Sequence, residues 1–236
     1  TIDEFSKKID VTDTNLVFQY GAGAQQKIAQ FSDSALASVQ TKDLGEVGDM
    51  MANLVAELKG FNADPDEKKG LFGFIRRNVD KMQLLKARYD EAEVNVNKIV
   101  SSLESHQVTL LKDIATLDQL YEMNLDYFKE LSMYIAAGKK RLEEVRATDL
   151  AEATRRAEAS GLAEDAQAAK DLADKCDRFE KKLYDLELTR NISIQMGPQI
   201  RLIQNNDQVM AEKIQSTMVN TIPLWKSQMV IALGLH

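Results

Sequence analysis

The 236-residue sequence holds one cysteine, two histidines, three prolines and one tryptophan. Each scarcity removes a class of protein. Cys176 has no second cysteine to pair with, so a disulfide scaffold is excluded. His106, His236 and Cys176 are too few and too far apart to supply the clustered ligands of a zinc site, and they set up no Cys–His nucleophile. No run approaches the roughly 18 apolar residues of a membrane span, and the mixed, acidic start Thr1-Ile2-Asp3-Glu4 is unlike a signal peptide. There is no initiator methionine, which suits an excerpt of a longer protein. Net charge is −7, the wrong sign for nucleic acid held by bulk electrostatics. With 44% apolar and 28% charged residues, the composition suits a soluble, cytoplasmic helical protein with ample residues for a core.

Helix formers dominate and alternating β-branched runs are scarce, so the expected fold is all-α. A first helical region is expected from about Asp13 to Gln40. A second starts near Thr41-Lys42-Asp43, whose polar side chains can cap it, and ends near Gly60. Residues 62–70 read as a loop around Pro65, and Leu71 to Ile75 as a short apolar patch. From Val79 onward, alternating steps of three and four pass through Met82, Lys86, Tyr89, Glu93, Val96, Val100, Leu103, Gln107, Leu110 and Ile114. The same steps continue through Leu117, Tyr121, Asn124, Phe128, Leu131, Ile135, Gly138, Leu142 and Val145. All but Lys86, Glu93, Gln107, Asn124 and Gly138 are apolar. That is a coiled-coil-like seam, on a helix that would reach roughly 100 Å. A second seam runs Leu172, Cys176, Phe179, Leu183, Leu186, then Ile200, Ile203, Met210, Ile214. An elongated antiparallel hairpin of two long helices closes the pattern most simply. Its tip is placed near 147–162, where Thr148 and Asp149 can cap a short Ala-rich helix that Ser160-Gly161 ends. Residues 1–70 form shorter helices packed at one end of a hairpin spanning 71–236, within one continuous domain. Pro198 and Pro223 are expected to kink or break the second arm.

Motifs that would carry chemistry are thin. Tyr20-Gly-Ala-Gly-Ala24 lacks the third glycine and the βαβ setting of a dinucleotide fingerprint, so its glycines read as allowing close helix packing. Asp64, Asp66 and Glu67 lack EF-hand spacing and read as a solvated loop. Cys176 reads as a small core residue and His106 as a helix flank. Lys139-Lys140-Arg141 is followed at once by Glu143-Glu144 and reads as an exposed face, with contact to anionic lipid as the sharper alternative. No catalytic residue, metal ligand or cofactor is assigned.

Residues 190–228 differ from the rest, being unusually rich in side-chain amides. Gln195, Gln199, Gln204 and Asn205 stand among them, with Pro198, Arg201 and Asp207 interspersed and Trp225-Lys226 downstream. Amides donate and accept without charge, which suits either a buried helix–helix network or a polar docking surface. Arg201 can pair with Asp207 or hold an oxyanion. Trp225 is either core or an interface anchor.

The string Gln199-Ile-Arg-Leu-Ile-Gln-Asn-Asn-Asp207, with Glu212-Lys-Ile-Gln215 and Asn220-Thr-Ile-Pro-Leu-Trp-Lys226, resembles the bacterial toxic anion resistance family, the TelA-like tellurite resistance proteins. Gln19-Tyr-Gly-Ala-Gly-Ala-Gln25, Phe31-Ser-Asp33, Gly45-Glu-Val-Gly48 and Lys86-Ala-Arg-Tyr-Asp90 look like that family too, so the resemblance covers nearly the whole chain. It implies a cytoplasmic or membrane-peripheral protein tied to tellurite resistance and stress response, and brings no catalytic residues with it. The expectation is therefore a non-enzymatic helical scaffold with protein partners in a resistance system, able to form a homodimer. A membrane-surface protein stands second. Direct detoxification stands third, because one cysteine cannot cycle a disulfide within a chain.

Overall fold

Among the described residues every regular element is a helix. The computed structural model describes residues 1–35, 37, 39, 44–61 and 74–234, without the side chains of 61 and 74–80. In chain order the helices are α1 (Ile2–Lys7), α2 (Thr14–Gln19), α3 (Ala22–Ser34), α4 (Gly45–Phe61), α5 (Phe74–Val145), α6 (Ala151–Ser160), α7 (Ala163–Ser216) and α8 (Ile222–Leu233). Wide π-type turns at Arg146–Leu150 and Thr217–Thr221 join α5 to α6 and α7 to α8. The expected cap at Thr41–Asp43, the loop 62–70 with Asp64, Asp66 and Glu67, and most of the patch after it lie outside the described residues.

The chain divides into two compact units: Thr1–Ser38 with Leu117–Leu202, and Val39–Thr116 with Ile203–His236. In the first unit α5 and α7 lie antiparallel, since Asn124 meets Ser193 while Arg146 meets Glu180. Their core holds Leu131, Ile135, Leu142, Val145, Cys176, Phe179, Leu183 and Leu186, joined by Ile9, Val11, Tyr20, Ala24 and Ile28 from the N-terminal segment. Tyr20 is the hub of that junction. Its ring stands edge-on to Tyr134 and Phe179, and its hydroxyl donates to the Tyr134 carbonyl at 2.6 Å. Gly138 makes room for it, because a Cβ there would run into Leu183 and come within 3.3 Å of the Tyr20 ring.

In the second unit the same two helices are again antiparallel, Gln204 meeting Ile114 and Gln107 meeting Gln215. Here Tyr89, Val96, Leu103 and Leu110 pack with Val47, Leu54 and Leu58 of α4, Ala211 and Ile214 of α7, and Ile222, Trp225, Met229 and Leu233 of α8.

Three local expectations need correcting. The region from Asp13 to Gln40 is not one helix. Asp13 caps α2 through hydrogen bonds from the Asn15 and Leu16 amides, and the chain then breaks at Gly21, which has φ +67°. A side chain at Gly21 would be strained by that dihedral, and its Cβ would lie 2.8 Å from Leu186. Gly23, by contrast, faces open space, so only one of the two glycines serves close packing.

Thr148 and Asp149 cap nothing. The Thr148 hydroxyl donates back to the Glu144 carbonyl at 2.7 Å within a continuing helical run. The actual turn is tighter: Gly161 ends α6 in the left-handed region, and α7 begins at Ala163.

Pro198 does not break α7 either. Its ring lies on the exposed face, where water can meet the Ile194 carbonyl that loses its donor. Near Pro223 the ladder does change, as expected: α7 widens into the π-type turn at Thr217–Thr221 just before the proline and continues as α8 without leaving helical backbone.

Candidate interaction surface

Helical period sorts the amide-rich segment into two sets of residues. Stepping by three and four from Leu186, the interior of the first unit takes Ser193, Met196 and Ile200, and that of the second takes Gln204, Asp207, Ala211 and Ile214. Gln195, Pro198, Gln199, Arg201 and Asn205 are exposed, and Lys226 is half-buried. The nine residues singled out from the sequence therefore do not form one site.

On the first unit the exposed set joins apolar neighbours. Leu188, Ile192 and Leu202 are large apolar residues open to solvent, and at helical spacing they share a face of α7 with Asn191, Gln195 and Gln199. That face lies opposite the buried row. No residue from Asn191 to Ile200 carries a charge, in a chain that is 28% charged. Arg201 closes this stretch. Its guanidinium donates to Asp118 at 2.6 Å and stacks 3.8 Å from the centre of the Tyr121 ring. The pairing with Asp207 expected from sequence is thus replaced by one with Asp118, and the carboxylate beside it holds the Arg201 pKa above its ordinary value. The buried side of this helix stretch is polar too. Asn124 donates to the Ser193 carbonyl at 2.9 Å, and the Ser193 hydroxyl donates to the Asn124 side-chain oxygen at 2.9 Å.

On the second unit the inward set forms a polar patch within the core. Gln204 donates to the Ile114 carbonyl at 3.0 Å, and outside the core Gln107 donates to the exposed Gln215 side chain at 2.9 Å. Asp207 is only 1% exposed and one of its oxygens meets no hydrogen-bond donor. Burial, then the charge of Asp113, push its pKa up from 3.8 to about 6. Trp225 is 4% exposed and lies 5.5 Å from the Tyr89 ring, so it is core. Lys226 beside it donates to Asn97 at 3.3 Å.

The family described as toxic anion resistance protein (TelA) matches residues 2–236. The chain is 40% identical to a TelA-like protein of Staphylococcus haemolyticus over 99% of its own length and 61% of that protein. This chain belongs to the toxic anion resistance (TelA) family. It is also 42% identical to an uncharacterized protein of Listeria monocytogenes, covering 98% of this chain and 59% of that one. The uncharacterized YaaN of Bacillus subtilis is 39% identical over 98% of this chain and 61% of YaaN. The chain thus spans about three fifths of the curated relatives it matches. No solved structure matches it.

The string that carries the TelA resemblance, Gln199 to Asp207, contributes to both units: Gln199 and Arg201 stand exposed on one, and Gln204 and Asp207 are buried in the other. Upstream, Tyr20 and Gly21 are the hub and the break described above. Cys176, read as a core residue, is fully buried, and burial raises its thiol pKa. Among the described residues no three His, Cys, Asp or Glu side chains gather to hold a metal, and no helix is long and apolar enough to cross a membrane.

The Asp207 carboxyl gives this TelA chain a measurable pH dependence. Its folded pKa exceeds its unfolded one, so the folded state holds the proton more tightly between about pH 4 and 6. Stability is then greatest below pH 4 as far as this group is concerned, and falls as pH rises through about 6. The full effect is roughly 3 kcal/mol at pH 8. Asp207→Asn should flatten the pH dependence of urea midpoints between pH 4 and 7 and raise the midpoint at pH 8. A midpoint at pH 8 lowered by the substitution would refute this.

Proposed function

We propose that this chain is a non-enzymatic interaction module of a toxic anion resistance protein, docking a protein partner on the exposed face of α7. The observation that carries the reading is the charge-free face formed by Leu188, Asn191, Ile192, Gln195, Gln199 and Leu202. Exposed apolar groups among satisfiable amides are a composition suited to a protein interface, where charged groups would have to be stripped of water. Membership of the family associates the chain with resistance to toxic anions; the docking role and the partner are our proposal.

The competing readings draw less support from the same structure. Anion sequestration would need free cations that converge, yet Arg201 is engaged by Asp118 and Tyr121. A lipid-binding basic patch at Lys139, Lys140 and Arg141 would draw on charges already paired with Glu187, Asp3 and Glu144.

The test substitutes Leu188→Arg and Leu202→Arg, singly and together, in the full-length protein in its native cells. Both positions are exposed, at 47% and 62%, so melting should stay within about 2 °C of wild type. Crosslinked capture of the partner should fall at least roughly tenfold, and growth on tellurite should fall toward that of the deletion strain. Full resistance and an unchanged capture profile in the double variant would end this reading.

A further inference from the structure

In the first unit, beside the wide turn after α5, a groove of about 730 Å³ opens between α5 and α7. Its apolar lining is Leu142, Ala147 and Leu183. Lys139 on α5 and Arg146 at the start of the wide turn stand seven residues apart, and Glu187 and Glu180 seven apart on α7. The cations are already spent: Lys139 pairs with Glu187, and Arg146 donates to Glu180 at 2.8 Å and Asp177 at 3.1 Å.

Two lining residues are left over. Glu143 is exposed, and among the described residues it joins none of the ion pairs. Tyr184 is 61% exposed, an unusual position for so large an aromatic ring. The groove therefore offers one uncompensated carboxylate and one open aromatic face, above Leu142 and Leu183, which the core already buries.

We infer that this groove is a docking site for a basic side chain of a protein partner, an arginine or lysine flanked by apolar residues. The cation would meet the Glu143 carboxylate and the Tyr184 ring, with its methylene stem and apolar neighbours against the exposed face of that ring. The pairs at Lys139 and Arg146 shape the specificity as well. They neutralise the cations that would otherwise attract an acidic ligand, so the surplus charge in the groove is negative. This goes beyond the face proposed above: Glu143 stands on α5, and Tyr184, one helical turn before Leu188, adjoins that face but lies outside the amide-rich segment. Either surface can fail its test while the other stands.

The experiment titrates the isotope-labelled 236-residue chain with a capped peptide holding one arginine between two leucines. The control peptide carries citrulline in its place, which keeps the shape and removes the charge. Backbone amide shifts should saturate at residues 139–147 and 180–187, with the citrulline peptide binding roughly fivefold more weakly. Glu143→Gln and Tyr184→Ala, both at exposed positions, should each weaken the arginine peptide roughly fivefold with melting unchanged. Exposed Glu164→Gln should leave binding as it is. The proposal is overturned if shifts do not saturate, if they map elsewhere, if both peptides bind alike, or if Glu164→Gln weakens binding as much as Glu143→Gln.

Discussion

Leu131→Asp should abolish the folded first unit, and Leu110→Asp should do the same to the second. Both leucines are fully buried, each in the core of a different unit. Aspartate in either place leaves a charge with no counter-ion in an apolar layer and removes the packing of a branched side chain. The combined cost should be about 5 kcal/mol or more, comparable with the whole stability of a typical domain. Hydrogen exchange tells the two substitutions apart. Leu131→Asp should expose the amides of α3 and of residues 176–186 first, and Leu110→Asp those of α4 and α8. If both variants lose protection over the same amides, the two units do not unfold separately. Leu131→Met, close in volume, should cost less than about 1.5 kcal/mol and serves as the control.

Trp225→Ala carries the second large expectation. The indole is 4% exposed, stacked at a tilt of 31° near Tyr89, and packed in a core that also holds Leu54, Ile214 and Met229. Truncation should cost about 3–5 kcal/mol and lower the melting temperature by roughly 10 °C. Any loss of resistance in this variant would follow from unfolding. Unchanged melting with lost resistance would instead make Trp225 an interface anchor and contradict its burial.

The long helices were legible because one row of the seam is nearly invariant in kind. Tyr89, Val96, Leu103, Leu110, Leu117, Asn124, Leu131, Gly138 and Val145, seven residues apart throughout, are all buried. The other row, from Glu93 to Phe128, is only half-buried, which the sequence pattern alone does not distinguish. The second seam was harder to follow because its interior positions include Thr189, Ser193, Gln204 and Asp207. An apolar count passes over these and settles on Ile203 and Met210, which flank the core. Continuing the three-and-four stepping from Leu186, whatever the residue type, would have found the buried row. That stepping also decides the candidate site. Gln204, Asp207 and Trp225 turn inward, while Gln195, Pro198, Gln199 and Arg201 stay outside, and residue type gave no hint of which would do which. The break at Gly21 is not legible in the sequence, because a positive φ leaves no mark there beyond the glycine itself.

The paired Asn124 and Ser193 have a consequence for how a signal could travel through the first unit. Purely apolar helix pairs can slip by a heptad at modest cost, because one leucine layer resembles the next. Here a slip of seven residues would set Asn124 against Leu186 or Ile200 and strand its buried amide without a partner. The α5–α7 pair of this unit is locked in one register, so it cannot work as a sliding rod. Whatever a partner does at the Leu188–Leu202 face has to act by rotating, bending or covering the helices where they stand.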